Sequence, residues 1–260
     1  DIFLFSKKII GGRSRCPYCH TTLKWYELIP LFSYCWQMGR CNHCRKRLSF
    51  GYPAVELISG LIMIIIPLSL GRLFSFYPYS LPLAISWTVF FFILLLISII
   101  DFRLNIIPDE LNLLLALNGL VIAFLASRFF TNLNGSLIGA YAPIFGFHDN
   151  IIINRAAALI FALIFFGGLV YFGKGRVMGL GDLKLALGLA LAFGWPGILL
   201  LTALAFVIGS IVGLILIFTK KKTMKNYLPL APFLAIGAFL IYGYGPQLLA
   251  LYFQLFNFRI

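Results

Sequence analysis

The chain has 260 residues, of which 61% are hydrophobic and only 11% are charged, and its formal net charge is +13. This composition excludes an ordinary soluble domain and is typical of a protein whose helices cross a membrane. Membrane topology and attraction to anionic lipids explain the excess of Lys and Arg, so we expect lipid partners and no nucleic acid.

The first 52 residues form the only sizeable polar region of the sequence. This region contains two Cys-x-x-Cys pairs, separated by 21 residues: Cys16 with Cys19 and Cys41 with Cys44. Two such pairs predict a zinc ribbon, in which four thiolates complete a tetrahedral Zn²⁺ shell and the metal supplies folding energy. Disulfides or a redox role are the alternatives, disfavoured by a reducing cytosol and by the absence of a βαβ pattern. Cys35 is expected to be a small buried apolar residue.

Apolar runs of about the length that crosses a bilayer core, roughly 20 residues, follow this region. We predict about seven membrane helices: Pro53–Gly71, Ser80–Ile100, Leu111–Ala126, Ile151–Gly173, Leu183–Trp195, Pro196–Thr219 and Leu228–Phe256. The fifth of these is short, and its boundary is the weakest. The predicted fold is an all-α polytopic membrane protein with a small cytoplasmic zinc-ribbon-like segment, divided into residues 1–52 and 53–260.

The basic residues are distributed unevenly along the sequence. Nine lie in residues 1–47, four lie in residues 220–225, and four more, Lys184 among them, lie at the ends of predicted helices. If successive helices cross the membrane in alternating directions, these 17 of the 21 basic residues all lie on one face. The positive-inside rule assigns that face to the cytoplasm. We therefore expect residues 1–52 on the cytoplasmic side of the membrane.

Two carboxylates are predicted to lie at the same membrane depth, on this cytoplasmic face. Asp101 ends an apolar helix, and Asp182 stands 81 residues later in the run Met178-Gly-Leu-Gly-Asp182. Ionisable groups at such positions are costly and tend to be functional. Carboxylates that meet repel each other's charged forms and share one proton, which is the arrangement of aspartic proteases. Helix capping is the alternative for Asp182, since a helix follows it directly.

Other residues near these carboxylates have simpler interpretations. Asp109 follows Pro108 and opens a helix, which is typical of an N-cap. Gly179 and Gly181 permit a close backbone approach or a positive φ, and a bound substrate strand would need such an approach. A lone Gly-x-Gly-Asp stretch is a weak signal, so its pairing with Asp101 in a polytopic chain is what gives it weight.

Seven motifs, spread over nearly the whole chain, carry a resemblance to a known family. They are Gly12-Arg-Ser-Arg-Cys-Pro-Tyr-Cys-His20, Trp25-Tyr-Glu-Leu-Ile-Pro30, Gly39-Arg-Cys-Asn-His-Cys44, Gly51-Tyr-Pro-Ala-Val-Glu-Leu57, Ile100-Asp-Phe-Arg-Leu-Asn-Ile-Ile-Pro-Asp109, Met178-Gly-Leu-Gly-Asp-Leu-Lys-Leu185 and Leu230-Ala-Pro-Phe-Leu234. With these motifs the sequence resembles type IV prepilin peptidases. These GxGD-type membrane aspartic proteases are the bifunctional leader peptidases and N-methyltransferases of bacterial pilus and type II secretion systems.

The resemblance implies that Asp101 and Asp182 are the catalytic aspartates, both on the cytoplasmic side of a bacterial inner membrane. The residues counted as supporting are Asp109, Gly179, Gly181, Lys184, Glu27 and Glu56. The implied substrates are prepilins or pseudopilins, whose basic leader is cut after a Gly. The new N-terminal residue, usually Phe, is then methylated with S-adenosylmethionine, whose binding residues the resemblance does not identify. The implied cofactors are therefore Zn²⁺ and S-adenosylmethionine.

Two departures from the family pattern stand out. Members usually begin with one more membrane helix, bearing a Gly-Ser-Phe-Leu-Asn-Val-like motif, and we expect the fold to survive without it only if that helix is peripheral. The stretch Ser127–Asn150 looks like an insertion on the outer face. Three rival functions stay open: a peptidase without methyltransferase activity, a transporter with intramembrane carboxylates, and a zinc-dependent scaffold in which Asp101 and Asp182 are helix caps. Paired repeats would favour the transporter, and we find none.

Overall fold

The computed structural model describes residues 13–73, 80–129, 144–146, 150–174, 178–219 and 228–255. Most of the predicted insertion Ser127–Asn150 lies outside them. The described residues form eight α-helices, preceded by a 3₁₀ turn at Trp25–Leu28. The helices are α1 (Phe32–Trp36), α2 (Gly51–Leu73), α3 (Ser80–Leu104), α4 (Asp109–Phe129), α5 (Ile151–Phe172), α6 (Leu180–Phe193), α7 (Gly197–Phe218) and α8 (Ala231–Leu255).

The all-helical membrane fold is confirmed. Six helices of the described part of the chain, α2 to α5 with α7 and α8, are long and apolar enough to cross a membrane. The seventh predicted segment is helical too, but α6 has only 14 residues. A helix needs roughly 20 residues to cross a membrane, so α6 is too short. The described residues therefore contain six helices long enough to cross, compared with the predicted number of about seven. The chain divides into two compact units, Asp1–Met63 and Ile64–Ile260.

The part of the first unit that precedes α2 has almost no apolar core among its described residues. Within residues 13–52, the buried apolar residues of the structure are Cys16 and Cys41. The prediction that Cys35 is buried is wrong, because its side chain is exposed. The five-residue helix α1 that carries it buries none of its residues, so there is no core face for the thiol to occupy. The fold of this unit therefore centres on the cysteine pairs.

The second unit buries the short helix α6 between α4 and α5. Close approach of α4 and α6 depends on a pair of glycines: a Cβ on Gly119 would lie 3.1 Å from the carbonyl oxygen of Gly188, and a Cβ on Gly188 would lie 3.2 Å from Leu115. Half of the 14 residues of α6 are buried, all of them from Leu185 onward. A helix too short to span can be held at membrane depth in this way.

Aromatic side chains join α3, α6 and α8 on the other side of this core. The Trp87 ring lies 5.2 Å from that of Phe193 and 4.8 Å from that of Tyr242, measured between centroids. The hydroxyl of Tyr242 donates a 3.0 Å hydrogen bond to the carbonyl oxygen of Ile66, so this buried phenol has a partner. The core thus holds in place the two helices, α3 and α6, that carry the candidate carboxylates.

The turn between α6 and α7 requires glycine at position 194. Gly194 has a φ of +66°, and a Cβ there would collide with the side chains of Asn154 and Arg155. Asn154 closes the turn by donating to the carbonyl oxygen of Trp195 at 2.6 Å and accepting from its N–H at 3.1 Å. This geometry excludes any larger residue without movement of α5.

Gly194→Ala is expected to lower the free energy of unfolding by about 2 kcal/mol, because it adds backbone strain to a steric clash. Denaturation of the purified protein in detergent, followed by circular dichroism, measures the loss. Gly167→Ala on α5 is the matched control, since a Cβ there meets nothing within 4 Å. Equal stability of the two variants would contradict this explanation of the turn.

Candidate functional site

The four paired cysteines form one cluster. Their sulfur atoms all lie within 4.8 Å of one another, and the Cys16–Cys44 and Cys19–Cys41 sulfurs are each 4.0 Å apart. Four thiolates around a tetrahedral Zn²⁺, each about 2.3 Å from the metal, lie about 3.8 Å from one another. The cluster can therefore hold a metal ion with little rearrangement, and its donor set is the one that structural zinc sites use.

The two halves of the cluster have the same local backbone. In each, the N–H of the fifth residue donates to the carbonyl oxygen of the first cysteine: His20 to Cys16 at 3.0 Å and Arg45 to Cys41 at 2.9 Å. Both donors have positive φ, +56° for His20 and +58° for Arg45, so each turn reverses the chain directly after its second cysteine. Such tight turns aim both thiols of a pair at the same point.

Hydrogen bonds around the cluster act on one of its thiols and fasten the neighbouring 3₁₀ turn. The Thr21 hydroxyl donates to Cys19 at 3.3 Å, and this bond is the main cause that lowers the pKa of that thiol to about 6. Buried Glu27 accepts from the Lys24 N–H at 2.8 Å and from the Asn42 side chain at 2.9 Å. The Lys24 bond holds the pKa of the Glu27 carboxyl below its usual range. Glu27 thus fastens the 3₁₀ turn to the second cysteine pair.

Asp101, the first candidate carboxylate, lies in the last turn of α3 and is buried. Its Oδ2 accepts a 3.1 Å hydrogen bond from the N–H of Ala231, the first residue of α8. The start of a helix carries unpaired N–H groups and the positive end of the helix dipole, so this contact stabilises a carboxylate. Oδ1 has no hydrogen bond within the described residues. One oxygen is therefore positioned by the fold while the other stays available.

Asp182, the second candidate carboxylate, lies in the first turn of α6. Its Oδ2 accepts a 3.2 Å hydrogen bond from the N–H of Gly179, so Asp182 does cap its own helix, as the simpler interpretation expects. Asp101 and Asp182 are close enough for electrostatic repulsion between their carboxylates, which is the weakest of the effects on Asp182 after burial and the Gly179 hydrogen bond. The sequence predicts equal depth for these two residues, and direct contact between their carboxylates stays a prediction. Helix capping alone therefore does not account for the position of Asp182, because a capping residue needs no second carboxylate nearby.

The two glycines before Asp182 differ in what they do. A Cβ on Gly181 would lie 3.2 Å from the Cβ of Ile107, so this glycine permits close approach of α6 to the loop before α4. Gly179 has a φ of −84°, which any residue adopts, and the positive φ considered for it is absent. A Cβ on Gly179 would lie 3.7 Å from Asp182 Oδ2. The missing side chain at Gly179 therefore leaves room beside the carboxylate.

Two further contacts fix the start of α6 against α4. Lys184 and Asp109 form an exposed ion pair with a 2.7 Å Nζ–Oδ1 distance. The side-chain amide of Asn112 donates to the carbonyl oxygen of Gly181 at 3.3 Å. Asn112 is buried, and its Oδ1 lacks a hydrogen-bond partner among the described residues. An ion pair on the surface contributes little, so we infer that Asn112 is the stronger of the two restraints on Asp182.

Sequence reasoning missed both Asn112 and the N–H of Ala231. The signal for Asn112 is a buried amide in a membrane helix, one turn after Asp109, at a depth where unpaired polar groups are costly. The Ala231 contact has no side-chain signal, because a backbone N–H is present at every residue except proline. Glu56, one of the residues counted as supporting, lies apart from the two aspartates in sequence and accepts a 2.8 Å hydrogen bond from the Leu31 N–H.

Asn112→Leu is expected to lower the turnover rate of any reaction at Asp182 about tenfold, because the start of α6 loses its buried restraint. The melting temperature should stay close to that of the unaltered protein, since the leucine also removes the unpaired oxygen. Asn118→Leu on the same helix is the matched control, because its Oδ1 is likewise buried without a partner. Steady-state kinetics that show an equal effect in both variants would contradict a positioning role for Asn112.

Two family models match the sequence. The model of the bacterial peptidase A24 N-terminal domain matches residues 4–70, which include the cysteine cluster. The model of the type IV leader peptidase family matches residues 88–214, which include both candidate carboxylates. The two matches are consecutive and cover separate parts of the chain. The cysteine cluster and the two carboxylates therefore lie within the parts of the chain that these two peptidase models match.

Curated relatives match over most of the sequence. Each is a prepilin leader peptidase/N-methyltransferase. The protein of Pectobacterium carotovorum subsp. carotovorum is 32% identical over 86% of this chain and 71% of its own length. The Stutzerimonas stutzeri protein is 30% identical over 93% and 75%, respectively. The protein of Bacillus subtilis (strain 168) is 28% identical over 95% and 88%. No solved structure matches the chain.

Proposed function

Because the chain belongs to the type IV leader peptidase family, we propose that it removes the basic leader from type IV prepilins or pseudopilins with Asp101 and Asp182 as its catalytic residues. The observation that carries this proposal is the placement of two carboxylates from separate helices within range of each other, each with one oxygen held by a backbone N–H: Asp101 at the end of α3 by Ala231, and Asp182 at the start of α6 by Gly179. Family membership also favours a peptidase over a transporter or a scaffold.

The proposed chemistry needs one shared proton between the two carboxylates. The ionised carboxylate takes a proton from a water molecule, which attacks the carbonyl carbon of the peptide bond that follows the leader. The protonated carboxyl donates a hydrogen bond to the carbonyl oxygen, and the proton taken from water goes on to the departing amine. The free Oδ1 atoms of Asp101 and Asp182 are the atoms proposed to face water and substrate.

The proposed site faces the cytoplasm of a multi-pass bacterial membrane protein. The C-terminal end of α3 and the N-terminal end of α6 lie on one side when α2 to α5 alternate, and the basic residues before α2 and directly after α5 fall on that same side. The positive-inside rule supports the cytoplasmic assignment. Space beside Asp182 at Gly179 supports the approach of an extended substrate backbone. Leader cleavage would then occur on the cytoplasmic side of the membrane, which is where the positively charged leader of a prepilin lies.

Methyl transfer is the second proposed activity, and it belongs to the first compact unit. The names of the relatives include N-methyltransferase, and the match to the bacterial N-terminal domain covers this unit. Four cysteines would hold a structural Zn²⁺ that stabilises the unit. S-adenosylmethionine, when bound, supplies the methyl group for the new N-terminal amine. The role of the chain's own residues is to bind the donor and to position the amine.

The test of both activities uses the purified full chain in nanodiscs, a prepilin and S-adenosylmethionine. Mass spectrometry is expected to show loss of the leader after a Gly and gain of one methyl group on the new N-terminus. Leader loss without methylation, under conditions in which S-adenosylmethionine is present in excess, would leave the peptidase assignment standing and refute the second activity. An uncleaved prepilin would refute the first.

A further inference from the structure

A cavity of about 280 Å³ lies within the first compact unit. Its walls include Glu27, Glu56, Tyr34, Tyr52, Cys16 and Cys41. Two sides are therefore formed by the cysteine cluster and by the start of α2, and neither carboxylate of the candidate peptidase site contributes. Its volume lies just below the range of small-molecule sites, about 300–1,000 Å³.

Negative charge in this unit is concentrated at the cavity. The described residues 13–63 contain seven Lys and Arg residues but only two acidic ones, Glu27 and Glu56. Both glutamates line the cavity, whereas Arg15 is the one basic residue that does. On a surface of strongly positive charge, such a cavity attracts a small cationic ligand rather than an anion.

Glu56 has the freer carboxylate of the two. Glu27 uses both oxygens, one for the N–H of Lys24 and the other for the side chain of Asn42. Glu56 uses Oε2 for the N–H of Leu31, and its Oε1 has no hydrogen bond among the described residues. The carboxylate of Glu56 is therefore held in place by one oxygen and can meet a ligand with the other.

We propose that this cavity is the site of the methyl donor, S-adenosylmethionine, and that Glu56 faces its cationic methionine part. The inference rests on the proposed methyl transfer. The ligand carries a sulfonium and an ammonium group, which match the two glutamates in charge, and an adenine ring, which can pack against Tyr34 or Tyr52. Loss of the methyl group removes the sulfonium charge, so the spent donor, S-adenosylhomocysteine, should bind more weakly.

Calorimetry on the full chain with its zinc, in detergent, tests the site by direct binding. Glu56→Gln keeps an oxygen for the Leu31 N–H but removes the charge. The dissociation constant of S-adenosylmethionine is expected to rise about tenfold or more, and that of S-adenosylhomocysteine by less than about threefold. The zinc content should not change. Glu110→Gln, an exposed glutamate of α4 outside this unit, is the matched control and should bind both compounds as the unaltered protein does.

A second variant tests the cavity without touching a charge. Ser33 also lines the cavity. The larger side chain in Ser33→Phe should fill the space and raise the dissociation constants of both compounds by about the same factor. Undiminished binding by Ser33→Phe would overturn the location. Unchanged binding by Glu56→Gln, or equal weakening of both compounds, would overturn the role of its charge.

The proposal can fail separately from the function on which it rests. An unaltered protein that binds S-adenosylmethionine and methylates pilin, combined with undiminished binding by both variants, overturns the cavity assignment alone. An unaltered protein that cleaves prepilin but binds no S-adenosylmethionine overturns the cavity assignment together with the proposed methyl transfer, while the peptidase assignment stands.

Discussion

Asp101→Asn and Asp182→Asn are each expected to slow leader cleavage by on the order of a thousandfold or more. Asparagine cannot ionise, so neither variant can hold the shared proton on which the proposed chemistry depends. The fold should persist, because an amide oxygen can replace Oδ2 as acceptor for the N–H of Ala231 or of Gly179. The effect should therefore appear in the rate and not in the amount of folded protein.

Cleavage of a prepilin by purified protein, followed over time, measures this effect. Glu110→Gln is a matched control, because Glu110 is an exposed carboxylate in the first turn of the adjacent helix α4. Its cleavage rate should equal that of the unaltered protein, and the melting temperatures of all four proteins should agree closely. Cleavage at an undiminished rate by either aspartate variant would refute its catalytic assignment.

Loss of one cluster cysteine is expected to remove the metal and unfold the first compact unit. In Cys16→Ser the bound zinc should fall from about one per chain to nearly none, since a structural site needs all four ligands. Structural zinc contributes about 10–16 kcal/mol of binding free energy in small domains, far more than the few buried residues of this unit supply. Methylation should be lost, while leader cleavage, which depends on carboxylates of the second unit, should fall much less.

Metal analysis by plasma mass spectrometry, combined with separate cleavage and methylation assays, distinguishes these outcomes. Cys35→Ser is the matched control, because Cys35 is exposed and lies outside the cluster. It should retain zinc and both activities. Full methylation by Cys16→Ser, with normal expression and no bound zinc, would show that the cluster is not a structural metal site.

Local features of the site could be predicted from the sequence. The spacing within each Cys-x-x-Cys pair puts its two thiols on one turn, and the presence of two such pairs predicts the cluster of four that the structure contains. Asp101 and Asp182 could be matched because alternating helices put the end of one and the start of another at equal depth. The roles of these residues remain predictions until the variants are measured.

Features that depend on packing could not be predicted. The exposure of Cys35 follows from the lack of a core around α1, which composition does not reveal. The short helix α6 is held at membrane depth by close glycine contacts with α4, and a hydropathy pattern does not distinguish a buried helix from a spanning one. The contact from Ala231 to Asp101 joins residues 130 positions apart through a backbone group that every segment possesses.

The cleavage rate of the double variant Asp101→Asn/Asp182→Asn, compared with both single variants in one assay, tests the central claim most directly. Groups that act as one unit are strongly non-additive, so the second substitution should cost almost nothing after the first. We predict that all three variants share the same residual rate. Single variants that keep substantial activity, with losses that multiply in the double variant, would contradict a catalytic pair.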